Sequence, residues 1–510
     1  MEKRKITRRD FLRVSSAAAA GAALLGACGT TPTPQVIEKV VEKEVTKIVA
    51  GTPQIVKETV VVAGTPQIIE KTVVVTQVSR PPEVVWTSWA TDTFGMFRCE
   101  EQAALFEKKH PDIVVQIRNI GGSGYLESLL TGLAAGAGPD VFRICPDANP
   151  LKFWADGQLE QLDPWFEKQK DSYFWTDDIR KDVVDVCRFA NKLYLMPMVD
   201  GMDCALAINK TLFKEAGLEP PTWPYKSKDY MDKWSYPQYL EVAKALTKTK
   251  SDGTPIQFGT QAELTYWLRA PIYSKSRLFW MSRDGNEFLG TKPDIVDAIQ
   301  WHADVRLQHH AAPTPEQTTG GAFDYTQGRL AMEWSGTFQL CYGQKNVGDR
   351  FDWDVAPLPY WPGADPDNPE GAFHDFCFWC FNHNSKVKDA TWTFYHWLCG
   401  PEGQRVEAEL AWGYPLYRSL NPPVYGKRIP QGKNVQLSLD LYEAASTTGS
   451  NWYPWFVNPN AMKAWDEILS PALDEVLVGT KTAKDAMAGV ASQMDKSFKE
   501  GMQWMAEHAK

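Results

Sequence analysis

A chain of 510 residues, 44% hydrophobic and 23% charged, has the composition of an ordinary soluble protein and ample material for a large core. Its net charge of -9 argues against nucleic acid or an anionic lipid surface as a partner. Beyond the first 27 residues no stretch has the unbroken apolar length of a membrane span.

Thr7-Arg8-Arg9-Asp10-Phe11-Leu12-Arg13 is a twin-arginine export pattern, followed by the small apolar run Val14 to Leu25. A basic region, a short apolar region and small residues before a cut site are what a secretory signal requires. The ending Leu25-Gly26-Ala27-Cys28 resembles the lipobox of bacterial lipoproteins. That resemblance implies a signal peptide over residues 1–27 and a lipid-bearing Cys28 as the mature N-terminus. The membrane contact is then a lipid anchor on the outer face of the cytoplasmic membrane, at the cell surface or in the periplasm, after folded export. Eight further cysteines allow disulfides outside the cytoplasm or buried free thiols, and spacing does not choose between them. Cys377 and Cys380 point to opposite faces if extended and have no second pair at zinc spacing, so no metal site is expected.

Residues 28–82 read as a stalk. Gly51-Thr52-Pro53-Gln54-Ile55 recurs thirteen residues on as Gly64-Thr65-Pro66-Gln67-Ile68, each copy running into a valine triplet. The β-branched content favours extended backbone, and too few large apolar groups are present to build a core. A short coiled coil through Ile37, Val41 and Ile48 is the competing conformation.

From Glu83 the pattern becomes globular. Val84 to Ser88 reads as a buried strand, and Phe97, Ala103, Ala104 and Phe106 mark a helix that stops before Pro111. Ile113 to Ile120 is a second strand. Leu126, Leu129, Leu130, Leu133 and Ala134 form a helical stripe ended by Gly136, and Val141 to Cys145 is a third strand. This alternation predicts a parallel α/β sheet whose ligand lies beyond the carboxyl ends of the strands. Ser88, Trp89, Tyr125 and Asp147 fall there. His302, His309 and His310 lack metal-protease spacing and are expected on a helix surface.

Several motifs resemble the extracellular solute-binding proteins of the sugar-uptake group, receptors of ATP-binding-cassette importers. They are Phe106-Glu107-Lys108-Lys109-His110-Pro111, Gly138-Pro139-Asp140-Val141, Ile208-Asn209-Lys210-Thr211-Leu212-Phe213, Tyr325 to Met332 with Ser335-Gly336, Val355 to Pro359, and Gly413-Tyr414-Pro415. A helix expected directly after Trp223 is delayed to Pro237 through Thr247, and a closing helix runs from Thr482 to Phe498. The resemblance spans about residues 84 to 500. It implies a periplasmic-binding-protein-like (class II) fold: two α/β lobes joined by a hinge, with a ligand cleft between them. One lobe is expected over 83–198 with 358–415, the other over 203–355 with 416–505.

Twenty-one tryptophans suit a polyol ligand, because an indole offers a flat apolar face and one N–H donor. Carboxylates and amides hold hydroxyl groups. Candidate ligand residues are Ser88, Trp89, Tyr125, Asp147, Asp200, Phe338 with Trp334 as its rival, His374, Tyr414 and Trp455. No phosphate loop and no nucleophile elbow are present, so the importer's ATPase is a separate chain. The resemblance implies a monomer without cofactor or catalysis that delivers a carbohydrate, expected to be a neutral oligosaccharide, unchanged to permease subunits. A surface glycosidase, an adhesin, and a binder of polyamine, peptide or sugar phosphate remain open on sequence alone.

Overall fold

The computed structural model describes residues 58–60, 67–69 and 80–508, apart from 89–95, 121–123, 145–147, 170–177, 180, 200–203, 263–267, 374–376, 415, 421–423 and 449–453. Residues 1–79 and 80–510 form separate compact units. In the first, Glu58–Val60 and Gln67–Ile69 pair antiparallel with Thr59 opposite Ile68. These strands lie one in each copy of the thirteen-residue repeat. Cys28 and the segment considered for a coiled coil lie outside the described residues.

The second unit opens with β1 (Glu83–Thr87), α1 (Met96–Lys109), β2 (Val114–Ile117), α2 (Tyr125–Ala134) and β3 (Val141–Ile144). β1 is parallel to both β2 and β3. The apolar stripe of α2 buries Leu129 and Leu133, and the chain turns out of the helix at Gly136, whose φ of 67° suits a residue without a Cβ. Pro139-Asp140-Val141 owes its form to a local exchange. Asp140 accepts from the Val85 N–H at 2.8 Å and donates its own N–H to the Val85 carbonyl at 2.7 Å, which docks β3 on β1.

Apart from a small hairpin of Arg188–Phe189 with Lys192–Leu193, the remaining sheet strands are β4 (Leu195–Val199), β5 (Cys204–Asn209), β6 (Lys248–Thr249), β7 (Pro255–Thr260), β8 (Leu330–Gly336), β9 (Trp353–Ala356) and β10 (Cys377–Phe381). They assemble into two five-stranded sheets, ordered β2-β1-β3-β10-β4 and β6-β7-β8-β5-β9. Each sheet is the centre of one α/β lobe. The first is not wholly parallel, as the early alternation suggested: β10 enters antiparallel to both β3 and β4. That strand arrives from the far lobe, so its direction is set by the return crossing and not by a βαβ turn.

Helices cover both sheets. In the first lobe, α6 (Lys388–Cys399) and α7 (Pro401–Glu409) pack with α1, and Trp86 sits between Trp379 and Phe394 at ring distances of 5.4 and 5.1 Å. In the second, α3 (Tyr236–Leu246) presses on β7 so closely that a Cβ at Gly259 would lie 1.9 Å from the Ala243 carbonyl oxygen. The delayed helix of the sequence reading is α3. The closing helix α9 (Ala483–His508) packs against α4 (Pro293–Leu307) and runs ten residues past its expected end at Phe498.

The three histidines near α4 do not share a surface. His302 is buried and meets the Trp334 ring edge-on at 4.9 Å, whereas His310 is exposed past the helix end. Ile295, Ala298, Ile299, His302 and Arg306 fall on one helical stripe and are all buried. Cys99, Cys341, Cys380 and Cys399 are buried unpaired thiols. No described group of three His, Cys, Asp or Glu side chains could hold a metal, and no described helix is long and apolar enough to cross a membrane.

Candidate functional site

Where the lobes adjoin, two elements of the second lobe face one segment of the first. β8 ends in Ser335-Gly336 and turns through Thr337 and Phe338 into α5 (Gln339–Asn346). The turn is tied down from two sides. Gln339 donates to Ser335 Oγ at 2.9 Å and to Glu333 at 3.1 Å, and Ser438 Oγ of α8 (Val435–Thr448) donates to Thr337 Oγ1 at 3.2 Å. Ser438 in turn accepts from the Tyr425 hydroxyl at 2.7 Å. Phe338 stays half-buried, its ring 5.3 Å from that of Tyr342 one helical turn on.

Opposite this turn runs the segment after α7. Trp412 is 2% exposed and meets Tyr342 at 4.7 Å with the rings 70° apart. Tyr414, half-buried, stacks flat on Tyr442 of α8 at 3.5 Å and lies 6.2 Å from Tyr425. Phe338, Tyr342 and Trp412 thus form one run of ring contacts across the lobe boundary and Tyr414, Tyr425 and Tyr442 a second, and the Tyr425–Ser438–Thr337 hydrogen bonds tie the two into one aromatic assembly.

A buried polar group holds the first-lobe side. Arg98 of α1 donates to Glu407 of α7 at 3.1 Å and to Ser88 Oγ at 3.3 Å, while its guanidinium lies 4.3 Å from the Trp412 ring centre. Gln102 donates to Glu407 at 3.2 Å and to the Gly403 carbonyl at 3.0 Å. Burial pushes the Glu407 carboxyl up, against the opposing pull of Arg98 and Arg143. Arg143 reaches Cys377 Sγ at 2.8 Å and stands 5.6 Å from the Trp412 ring. The guanidiniums give Trp412 a cation–π environment out of water, where such contacts are strongest.

The sequence candidates separate on this geometry. Phe338 and Tyr414 belong to the aromatic assembly. Ser88 is buried at the end of β1 as an acceptor for Arg98, and Tyr125 is buried with its hydroxyl donating to the Arg143 carbonyl at 2.7 Å. Both support the site from behind. Trp334 is a correction: it points into the α3–α4 layer of the second lobe, 4% exposed, and spends its N–H on the Tyr239 hydroxyl at 3.0 Å. Strand alternation puts it on the helix-covered face, so it packs and does not present a face to solute. Trp89, Asp147, Asp200 and His374 lie outside the described residues; Trp455 sits on the helix Pro454–Val457, with its side chain outside them. Sequence reasoning missed Trp412, Tyr342, Tyr425 and Tyr442. Two signals were available: Tyr342 follows Phe338 by four residues in a helical pattern, and Trp412 precedes the Gly413-Tyr414-Pro415 motif by one.

This two-lobed arrangement is the periplasmic-binding-protein-like fold. The pattern of the bacterial extracellular solute-binding protein family matches residues 99–405, and the chain belongs to that family, whose members bind solutes and do not transform them. No curated protein matches the chain. Among solved structures it is similar to an ABC substrate-binding protein from Listeria monocytogenes in complex with cycloalternan, at 20% identity and a TM-score of 0.66, over 82% of this chain and 99% of that one. A solute-binding protein from Thermotoga lettingae bound with α-D-tagatose matches at 17% identity and a TM-score of 0.64, over 82% and 100%. The maltose/maltodextrin-binding domain MalE of Bdellovibrio bacteriovorus bound to maltotriose matches at 17% and 0.62, over 82% and 100%. At these identities the likeness is one of fold.

Proposed function

We propose that this chain is the extracytoplasmic receptor of an ATP-binding-cassette importer, capturing a neutral oligosaccharide between its lobes and passing it unchanged to membrane permease subunits. The observation that carries this reading is the aromatic assembly at the lobe boundary, in a chain of a solute-binding family. Flat rings whose contacts run from 3.5 to 6.2 Å offer apolar faces to the C–H side of sugar rings. Phe338 and Tyr414 are the proposed plates. Trp89, Asp147, Asp200, His374 and Trp455 are proposed to complete the site. The neighbours described as binding cycloalternan, tagatose and maltotriose support a carbohydrate as the ligand class.

The lobes we assign are 83–198 with 358–415 and 203–355 with 416–505. Closure about the crossings between them would trap solute by hinge motion. We further propose export through the twin-arginine pattern, lipid attachment at Cys28 on the outer face of the membrane, a stalk over 28–82, and a monomeric body.

Thermal unfolding of the full chain with maltotriose, cycloalternan, mannotriose, spermidine and a tripeptide tests the ligand class. A solute bound by the native state alone raises the unfolding temperature as its concentration passes Kd. Oligosaccharide binding with the sugar recovered intact is the expected result. Shifts for spermidine or peptide alone would overturn the carbohydrate reading, and shortened sugar products would overturn the receptor reading.

A further inference from the structure

Among the described residues the Trp412 Nε1–H has no hydrogen-bond partner, although its residue is 2% exposed. A buried N–H without an acceptor costs roughly 1–3 kcal/mol, so such a group calls for an explanation. Trp86 and Trp379 also bury N–H groups without partners, but inside the apolar sheet core of the first lobe, against each other and Phe394. Trp412 is placed differently. Its ring lies under the Arg98 guanidinium, which Glu407 fixes, and its neighbour across the lobe boundary is Tyr342 of α5. α5 packs on β9, for the Gly343 position lies against the Trp353 ring, so Tyr342 moves with the second lobe.

Resting on the carbohydrate reading above, we infer that Trp412 is a solute contact held under Tyr342: separation of the lobes uncovers the indole, and a sugar hydroxyl becomes the acceptor of its N–H. The Arg98–Glu407 pair sets the ring before solute arrives, so little ordering cost falls on binding. Phe338 shares the Tyr342 ring with Trp412, and Tyr414 follows two residues on in the chain, which makes Trp412 a natural third contact. Tyr342 then competes with solute. The lobe-closed, solute-free conformation that it stabilises lowers the fraction of molecules ready to bind, and apparent affinity falls by that fraction.

Two substitutions in the full chain give opposite expected signs. Trp412→Phe keeps a flat ring and removes the donor. It should weaken maltotriose binding, measured by calorimetry, by about tenfold, the value of one hydrogen bond near 1.4 kcal/mol. The solute-free unfolding temperature should hold or rise, because an unsatisfied group has left the interior. Tyr342→Leu fills the space without an aromatic edge and should tighten binding. A merely structural Trp412 predicts the reverse pattern: a lower unfolding temperature and unchanged affinity. Unchanged affinity in Trp412→Phe, or weakened binding in Tyr342→Leu, would overturn the inference while leaving the carbohydrate reading intact. Wild-type protein that binds none of maltotriose, mannotriose and cycloalternan would overturn both.

Discussion

Arg98 and Glu407 meet at 3.1 Å with side-chain exposures of 1% and 0%, although 309 residues separate them in the chain. The pair clasps α1 to α7 beside Trp412. It also bears a desolvation cost that only an intact partner offsets.

Breaking this pair from one side should be severe. Glu407→Leu leaves a guanidinium buried without its carboxylate, and we expect a loss of about 3–5 kcal/mol in urea unfolding. The double substitution Arg98→Met with Glu407→Leu should recover much of that loss, since no charge then stays buried alone. A double variant as unstable as the single one would show that packing, and not charge, fastens α1 to α7.

Gly259→Ala should destabilise the second lobe. The added methyl would meet the Ala243 backbone at 1.9 Å, so α3 must shift off β7. We expect a cost of about 1–3 kcal/mol, as for an overpacked core. Gly489→Ala, on α9 with open space around it, should instead be neutral or mildly stabilising. Equal unfolding midpoints for the two variants would contradict the close approach.

Acid should weaken the first lobe through His396. Desolvation by its buried setting lowers its pKa to about 4, below the ordinary value of 6.5. The unfolded chain therefore takes up this proton first as pH falls. Stability is full above pH 6.5, declines between 6.5 and 4, and has no further loss from this group below 4. The whole effect is on the order of 3 kcal/mol at most. In His396→Gln the slope of stability against pH over that interval should flatten; an unchanged slope would assign the acid sensitivity elsewhere.

The thiols should be inert in the folded protein. Burial raises Cys99 to about 11 and Cys341 to about 12, so neither forms thiolate near neutrality. Aromatic disulfide reagents should label Cys99, Cys341, Cys380 and Cys399 only after denaturant is added. Rapid labelling at pH 8 without denaturant would mean that these buried positions open locally far more often than their packing allows.

Local pattern made the first half of the first lobe legible. The strand of Trp86, the Leu129–Leu133 stripe and the Pro139-Asp140-Val141 corner each depend on neighbours in sequence, and they fold as their periodicity says. β10 could not be read in that way, because its direction comes from partners far back in the chain, Ile144 opposite Phe378 on one side and Pro197 opposite it on the other. His302 was misplaced for a different reason. Polar neighbours at 309 and 310 suggested a wet surface, while the stripe from Ile295 through Arg306 was already a buried one. At the candidate site, Phe338 and Tyr414 were marked by motifs, and Trp334 was separable from Phe338 only once alternation along β8 was anchored by its partners. Trp412 carries no motif of its own. Its importance comes from Arg98 and Tyr342, which no spacing along the chain connects to it.

The late arrival of β10 orders the life of the nascent chain. All five strands of the second sheet, from Cys204 to Ala356, have been synthesised before the ribosome reaches Cys377, whereas β3 and β4 must wait with the gap between them unfilled. The inner sheet can assemble as a nested unit while the outer one is still missing its inner seam. Closing so long a loop is slow relative to local pairing. The sheet that begins first is therefore the one that finishes last, and until then its half-made form presents two hydrogen-bonding edges that a premature encounter with another chain could occupy.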